Sequence, residues 1–157
     1  MRLTKELLNI TTQPVVFDTF AQKIENERLS VIMFGFMRES NGIGLAANQV
    51  GIDTSLFVSF VDGKYNAYYN PVLLEWGDEL SKFDEGCLSF AGESIIVERP
   101  EWIKLEWQDH KGNKSKKILD GITARVCLHE YDHLKGITFQ QRVNNTNIPE
   151  ELLYVKT

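Results

Sequence analysis

The chain has 157 residues, a length typical of one domain, and 43% of them are hydrophobic while 25% are charged. Its formal charge of −5 argues against nucleic acid or an anionic membrane as the principal partner, because both favour basic proteins. No run of eighteen or more apolar residues indicates a membrane span, and the start lacks the apolar core of a signal peptide. The two cysteines are too few for a disulfide scaffold, so we expect an intracellular protein.

The first predicted element is an amphipathic helix over residues 18–37, with Asp18 as its N-cap. The apolar positions that define its buried side are Ile24, Leu29, Ile32, Met33, Phe36 and Met37. Residues 38–44 are predicted as a loop. The predicted strands cover residues 54–61, 94–97 and 102–107.

Turn signals and a second helix complete the predicted layout. The pair Asp62-Gly63 indicates a turn before the segment KYNAYYNP, and the sequence DHKGN indicates a hairpin after the last predicted strand. The second helix is predicted over residues 122–135, with Asp120 near its start and Gly136 at its end. An early helix, several strands and a late helix indicate the α+β class.

The stretch GIGLAANQVG at residues 42–51 fits a dinucleotide-binding fingerprint, which it matches at Gly42, Gly44 and Ala47. An acid, Asp62, also follows about twenty residues further on. However, that fingerprint needs a strand before its first glycine and a long helix after its last small residue. Here a predicted helix comes first, and only about one helical turn fits afterwards. We therefore reject the dinucleotide site and expect these glycines to let the main chain approach a bound peptide.

The sequence CLHEYDHLKG contains the spacing His129-Glu130-x-x-His133. On a helix, His129 and His133 project from one face, one turn apart, so that two imidazoles can bind one metal ion. Glu130 is rotated by about 100° from His129 and can reach a water beside the metal without ligating the metal itself. Two of the three histidines in the chain fall in this pattern, which favours a metal site over hydrogen-bonded core histidines.

A catalytic metal site of this kind needs a third protein ligand and an open position for water. Two metallopeptidase patterns fail: one needs a histidine where Phe139 stands, and the other needs a downstream helix, for which Glu150 and Glu151 have too little chain. Cys87 is the alternative ligand, because a thiolate binds zinc or ferrous iron strongly. Spacing alone leaves open that Cys87 is an inert buried cysteine. Cys127 points away from the metal face, and we assign it to the core.

Three stretches, GIGLAANQVG, EGCLS and HEYDHLKG, resemble the three signature motifs of peptide deformylases, in the same order and with similar intervals. The resemblance covers roughly residues 24–139. It implies small mixed or antiparallel sheets packed around a central helix that carries the HExxH motif, in a single catalytic domain over residues 1–157. The matching positions are Gly42, Gly44, Leu45, Ala46, Ala47, Gln49, residues 85–89, His129, Glu130, Asp132, His133, Leu134 and Gly136.

Peptide deformylases remove the formyl group from the N-terminal formyl-methionine of nascent peptides and release formate. The resemblance implies a metal ion, Fe(II) in this family, with zinc, nickel or cobalt often in its place. The implied metal ligands are Cys87, His129 and His133. Glu130 would act as general base and then as general acid. The side-chain amide of Gln49 and the backbone N–H of Leu88 would stabilise the oxyanion.

The resemblance assigns further positions around the cleft. Those implied in substrate binding are Ile43, Gly44, Glu85, Ile122 and Val126. We also expect an ion network among Glu85, Arg99 and Asp132, which lie near the ligands in sequence or on their helix. The expected partners are formyl-methionine nascent peptides, with no direct nucleic-acid specificity and no membrane contact. We expect a monomer in the bacterial cytoplasm, including that of a phage-infected host.

The chain departs from the family pattern at several positions. Phe90-Ala91 stands where a proline commonly follows the serine of the second motif. Ser94 stands where several bacterial members have a peptide-contacting arginine, so substrate anchoring is expected to differ. NIPEELLYVKT ends the chain in place of a long C-terminal helix, as in short phage-encoded members, which weakens the expectation of docking to the ribosome.

Two other functions remain open on the sequence alone. A zinc peptidase of another HExxH type would cleave internal peptide bonds and would not depend on Cys87. A non-catalytic metal-binding homologue would need neither Glu130 nor Gln49, and both residues are present.

Overall fold

The computed structural model describes residues 1–154, so the end of the C-terminal stretch, residues 155–157, lies outside the described residues. Turns at the N-terminus lead into helix α1, and two later helices follow the strands. The helices are α1 (Phe20–Glu39), α2 (Gly121–Leu134) and α3 (Phe139–Asn144). The strands are β1 (Gly44–Ala46), β2 (Leu56–Val61), β3 (Lys64–Trp76), β4 (Leu80–Glu85), β5 (Ile95–Pro100), β6 (Trp102–Gln108) and β7 (Lys114–Asp120).

Five strands form an antiparallel sheet in the order β1-β2-β3-β6-β7, and β4 pairs with β5 in a separate antiparallel hairpin. The predicted turn between β2 and β3 is confirmed, with φ of 51° at Asp62 and 73° at Gly63. Positive φ at both residues matches the twist of the flanking strands. The outer edge of β7 carries the exposed residues Lys114, Lys116 and Lys117, whereas β1 forms the other edge with only three residues.

Helices α1 and α2 pack on opposite faces of the five-stranded sheet. Strand β2 is buried between them. Its side chains alternate in direction, so that they pack against both helices. Phe57 joins the apolar cluster under α2, whereas Leu56 and Val58 join Met33 and Met37 under α1. Each such side chain contributes about 1.5–3 kcal/mol by leaving water. The sheet is therefore packed firmly between the two helices.

Helix α2 occupies the centre of the fold, because it contacts the five-stranded sheet on one side and β5 on the other. Every residue from Ala124 to Leu134 is buried. The helix ends before Gly136, which has a φ of 74°, as predicted for a glycine just past a helix. The predicted α+β class and central helix are confirmed. No helix within residues 1–154 has the length and apolar character that crossing a bilayer requires.

The start of α1 differs from the prediction, because Thr19 and not Asp18 is the N-cap. The Thr19 hydroxyl accepts a hydrogen bond from the Gln22 backbone N–H (3.1 Å), and the Gln22 side chain accepts one from the Thr19 N–H (2.8 Å). This reciprocal capping box satisfies two donors that the first turn leaves free.

Candidate active site

The three predicted metal ligands come together between α2 and the end of the β4–β5 hairpin. His129 and His133 lie on α2, and Cys87 follows β4. Their ligand atoms all lie within 4.8 Å of one another, with Cys87 Sγ 3.3 Å from His133 Nε2. A thiolate and two imidazoles suit zinc or ferrous iron, and three protein ligands leave a coordination position open.

Glu130 lies beside this cluster, and its Oε2 atom is buried with no hydrogen-bond partner in the described part of the chain. An orphaned carboxylate oxygen next to a metal-ligand set fits a site that holds a metal and a polar reactant. Burial raises the pKa of Glu130 to about 7, although His129 and Arg99 act in the opposite direction. The Glu130 carboxyl group is therefore suited to exchange a proton near neutral pH.

The glycines of the first motif make room for side chains of the site. A Cβ atom on Gly44 would overlap Glu130 Oε1 and would lie 3.0 Å from Cγ and Cδ of the same side chain. A Cβ atom on Gly42 would lie 2.7 Å from Leu88 Cδ1. The expected role was close approach to a peptide, and the observed requirement at Gly44 is space for Glu130. Strand β1 is nevertheless an edge strand, as a peptide-pairing role requires.

Gln49 is held in one orientation by hydrogen bonds at both ends of its amide. Its Oε1 accepts from the Ala46 backbone N–H (2.8 Å). Its Nε2 donates to Ser89 Oγ (3.0 Å) and lies 3.5 Å from Cys87 Sγ. The buried amide therefore presents an N–H group, and not its oxygen, to the metal-ligand cluster.

Glu85 orients the ring of His129 from behind the metal site. His129 Nδ1 lies 2.9 Å from Glu85 Oε1, so it donates to the carboxylate and leaves Nε2 as the ligand atom. Arg99 donates to Oε2 from Nε (2.7 Å) and to Oε1 from an Nη atom (3.0 Å). Burial alone would raise the pKa of Glu85, but the bonds from His129 and Arg99 lower it well below its ordinary value.

A second buried carboxylate extends this ion network. Arg99 donates to Asp132 Oδ2 (2.8 Å), and Arg142 of α3 donates from Nε to the same oxygen (3.0 Å). The contacts predicted among Glu85, Arg99 and Asp132 are therefore present. Arg142 was missed, and no sequence signal linked it to a carboxylate ten residues earlier. Removing one partner of a buried pair costs about 3–5 kcal/mol, so this network fixes α3 against α2.

The cluster opens into a cleft with a volume of about 500 Å³, a size common for small-ligand sites. All five predicted substrate-binding positions line it: Ile43, Gly44, Glu85, Ile122 and Val126. Gln49, Cys87, Leu88, His129 and Glu130 line it as well. Two acids at its rim, Asp84 and Glu93, also line it, and the Ser94 hydroxyl donates to Asp84 (2.6 Å).

Two further residues of α2, Cys127 and Arg125, differ in their contacts and in whether they were predicted. Cys127 packs in the apolar cluster as predicted, and burial raises the pKa of its thiol to about 12, so it stays protonated. Arg125 lines the cleft and donates to Glu85, although it was not among the predicted site residues. One signal was available, because Arg125 precedes His129 by four residues, which is one turn of the helix.

Comparison with known proteins decides the family. Residues 1–148 match the family described as polypeptide deformylase. The chain belongs to this family. Peptide deformylase 1B of chloroplasts and mitochondria from Arabidopsis thaliana is 38% identical over 143 residues, or 86% of this chain and 52% of that protein. This chain thus spans about half the length of that relative.

Two solved structures share the fold of this deformylase family member. The crystal structure of peptide deformylase from Thermotoga maritima has a TM-score of 0.82 and 35% identity, over 90% of this chain and 96% of that chain. A probable peptide deformylase from a Synechococcus phage has a TM-score of 0.81 and 36% identity, over 90% and 99%. The predicted family and its phage-like resemblance are confirmed. Peptide deformylases are metalloenzymes, and Cys87, His129 and His133 form a donor set for such a metal.

Proposed function

We propose that this chain hydrolyses the N-formyl group of formyl-methionine peptides and releases formate. The observation that carries the proposal is the approach of Cys87, His129 and His133 to within 4.8 Å beside the buried Glu130, at the wall of a cleft. Membership of the deformylase family supports the choice of reaction. Nascent peptides that begin with formyl-methionine are the proposed partners.

The metal would be held by Cys87, His129 and His133, and we propose Fe(II), with zinc, nickel or cobalt as substitutes. The mixed thiolate and imidazole set supports this choice, because it suits these ions better than magnesium or calcium. When bound, the metal supplies the Lewis acidity that makes water a nucleophile near neutral pH.

Glu130, Gln49 and Leu88 supply the protein's part of the chemistry. Glu130 takes the proton of the attacking water and delivers it to the departing amine, so that the formyl C–N bond breaks and formate leaves. The Gln49 side-chain amide and the Leu88 backbone N–H donate to the oxyanion of the formyl carbon. The fixed amide of Gln49 supports this role, and loss of one such donor typically costs about a hundredfold or more in rate.

The apolar side of the cleft would hold the methionine side chain. Ile43, Ile122 and Val126 line this part of the cavity, and Gly44 begins the edge strand β1. An extended peptide can pair with such an edge through backbone hydrogen bonds, which places its first residue beside Glu130. The substrate-binding role of Glu85 is proposed only as an indirect one, because its oxygens face His129 and arginines.

The decisive experiment measures formate after the iron- or nickel-loaded protein is incubated with formyl-Met-Ala-Ser. We expect formate release that depends on the metal and collapses in Glu130→Gln, which keeps the size of the side chain but cannot take the proton. Formate no higher than in Glu130→Gln would contradict the proposal. A binding-only homologue would hold the metal and give that negative result.

A zinc peptidase of another type is the second function to be tested. Phe139 occupies the position where one such family places its third histidine, and its ring centroid lies 5.8 Å from that of His129. The phenyl ring of Phe139 has no donor atom for a metal, so Cys87 remains the third donor of the cluster. Cys87→Ala should therefore abolish both metal retention and formate release, whereas a peptidase of that other type would be indifferent to it.

A further inference from the structure

We propose that Arg125 is a positioning residue for the metal centre, which it serves by locking the Glu85 carboxylate that orients His129. The inference rests on the metal site of the proposed function and on nothing about the substrate. Arg125 is buried on α2, one turn before His129. It lies between the ligand helix and the hairpin that leads to Cys87.

The hydrogen bonds of Glu85 explain why a second arginine matters. A carboxylate offers about four acceptor positions. Oε1 accepts from His129 (2.9 Å) and Arg99 (3.0 Å), and Oε2 accepts from Arg99 (2.7 Å) and Arg125 (2.7 Å). Arg125 therefore fills the last position. Any rotation of the carboxylate away from His129 then breaks a charge-assisted bond, which is stronger than a neutral one.

Arg99 provides part of this restraint. It comes from β5 and reaches α2 only through a second side chain, because one of its nitrogens donates to Asp132 of that helix (2.8 Å). Arg125, in contrast, belongs to the same helix as His129. Arg125 therefore ties Glu85 directly to α2, the rigid helix that carries His129. Glu85 in turn orients the His129 ring.

Arg125 also fixes the element that carries the third ligand. Its guanidinium donates to the backbone carbonyl of Ser81 in β4 (2.7 Å) and to that of Val97 in β5 (3.0 Å). Cys87 follows β4 by two residues. One buried side chain thus connects both strands of the hairpin to α2, and with them Cys87 to His129 and His133. Glu85 ends β4, so these carbonyl contacts and the Glu85 contact act on the same hairpin, and loss of Arg125 should loosen the ligand set mainly through Glu85.

The test measures the release of metal, and it needs no peptide. The protein is loaded with Co(II), excess chelator is added, and the thiolate-to-cobalt absorption band is followed over time. We expect Arg125→Met to release cobalt about 10- to 100-fold faster than the unaltered protein, as is typical when a partner of a ligand is removed. Ser81→Ala is the matched control, because it removes only the hydroxyl contact with Arg125 (3.2 Å).

A double-mutant cycle separates positioning through Glu85 from general loosening of the fold. If Arg125 acts through Glu85, Arg125→Met combined with Glu85→Gln should release cobalt no faster than Glu85→Gln alone. A double variant whose rate is the product of both single effects would overturn the proposal. An Arg125→Met protein that releases cobalt within about twofold of the unaltered rate would overturn it as well.

A gentler substitution covers the case in which Arg125→Met does not fold. Arg125→Lys keeps the charge but cannot bridge Glu85 and two backbone carbonyls, since an ammonium lacks the planar fork of arginine. We expect cobalt release several-fold faster than from the unaltered protein, and a rate within about twofold of the unaltered protein overturns the proposal. Because cobalt release is independent of deformylation, failure of this inference and failure of the proposed function give different results.

Discussion

The carboxylate of Glu130 occupies the space that a side chain on Gly44 would need. Gly44 lies at the start of β1, and Glu130 lies on α2, so the contact joins the sheet edge to the ligand helix. The glycine is required here by close packing and not by an unusual φ. Any side chain at this position must therefore push Glu130 away from its place beside the metal ligands.

Gly44→Ala should lower kcat for formyl-Met-Ala-Ser by about a hundredfold, because general base catalysis is worth about 10²- to 10⁴-fold and depends on placement. Metal content, measured by elemental analysis, should stay near that of the unaltered protein. Gly35→Ala is the control, since a Cβ atom on Gly35 in α1 meets nothing within 4 Å. A Gly44→Ala enzyme with nearly unchanged kcat would contradict the requirement for a glycine beside Glu130.

The acidic rim predicts a preference among peptides. Asp84 and Glu93 line the cleft, while Arg125, which also lines it, is already paired with Glu85. We expect peptides with lysine after the formyl-methionine to have a kcat/KM about 3- to 10-fold above that of matching glutamate peptides, given about 0.2–1 kcal/mol per exposed pair. The ratio should shrink in high salt and in Asp84→Asn combined with Glu93→Gln. Equal kcat/KM values for both peptides at low salt would refute this preference.

The turn between β6 and β7 predicts a pH-dependent contribution to stability. Asp109 accepts hydrogen bonds from the backbone N–H groups of Lys111 (2.8 Å) and Asn113 (3.0 Å) and from the Asn113 side chain (3.0 Å). Burial acts to raise the pKa of Asp109, but these hydrogen bonds together lower it below its ordinary value. A lowered folded-state pKa means that the contribution is present above the unfolded pKa and is lost as pH falls through the folded one.

Asp109→Ala should therefore lower the free energy of unfolding by about 1 kcal/mol at neutral pH. The difference from the unaltered protein should shrink as pH falls below about 4, where the unfolded carboxyl begins to bind protons. Urea unfolding at several pH values measures this difference. A gap that stays constant down to low pH would mean that the charge of Asp109 makes no contribution.

Two glycines with similar backbone angles should respond differently to alanine. Gly136 (φ 74°) and Gly63 (φ 73°) both lie in the left-handed region. A Cβ atom on Gly136 would lie 2.9 Å from backbone atoms of Asn9 and Ile10, while one on Gly63 meets nothing within 4 Å. Gly63→Ala should cost about 1–2 kcal/mol from conformation alone.

Gly136→Ala should cost about 1–3 kcal/mol more than that, because the N-terminal segment must also move off the end of α2. Thermal and urea unfolding of the two variants provide the comparison. Equal losses of unfolding free energy in the two variants would indicate that the N-terminal segment moves away without an energetic cost.

The fold was predictable where local patterns decide the structure. The turn at Asp62-Gly63 and the end of α2 at Gly136 depend on backbone angles that few residues adopt. The residue types at these positions are therefore enough to predict both features. The prediction of the buried side of α1 was less accurate, since Ile24 and Ile32 are 43% and 50% exposed. Periodicity places apolar residues on a face, but the extent of the sheet beneath decides how much of that face is covered.

Strand β4 was not predicted, and β7 was indicated only by the hairpin turn predicted after β6, because their sequences, LSKFDE and KSKKILD, are rich in charged and polar residues. Their pairing with β5 and β6 stabilises them, and a single segment does not reveal its partner. The same reason explains Arg125. A charged residue in a helix normally faces water, and its partners Glu85, Ser81 and Val97 lie 28 to 44 residues away in sequence. The two histidines of the predicted metal site could be identified because their geometry is local to one helix, whereas Cys87 depended on the resemblance to the deformylase motifs.

The two edges of the five-stranded sheet differ in their protection against aggregation. An open edge offers unpaired backbone groups to any passing strand. Strand β7 bears Lys114, Lys116 and Lys117, whose charges repel a second copy of the same edge. Strand β1 has no such charges, but it is three residues long and lies in the wall of the cleft. The end of a short peptide can pair with β1. A long strand of another molecule cannot, because three residues offer too few backbone groups to start a fibre.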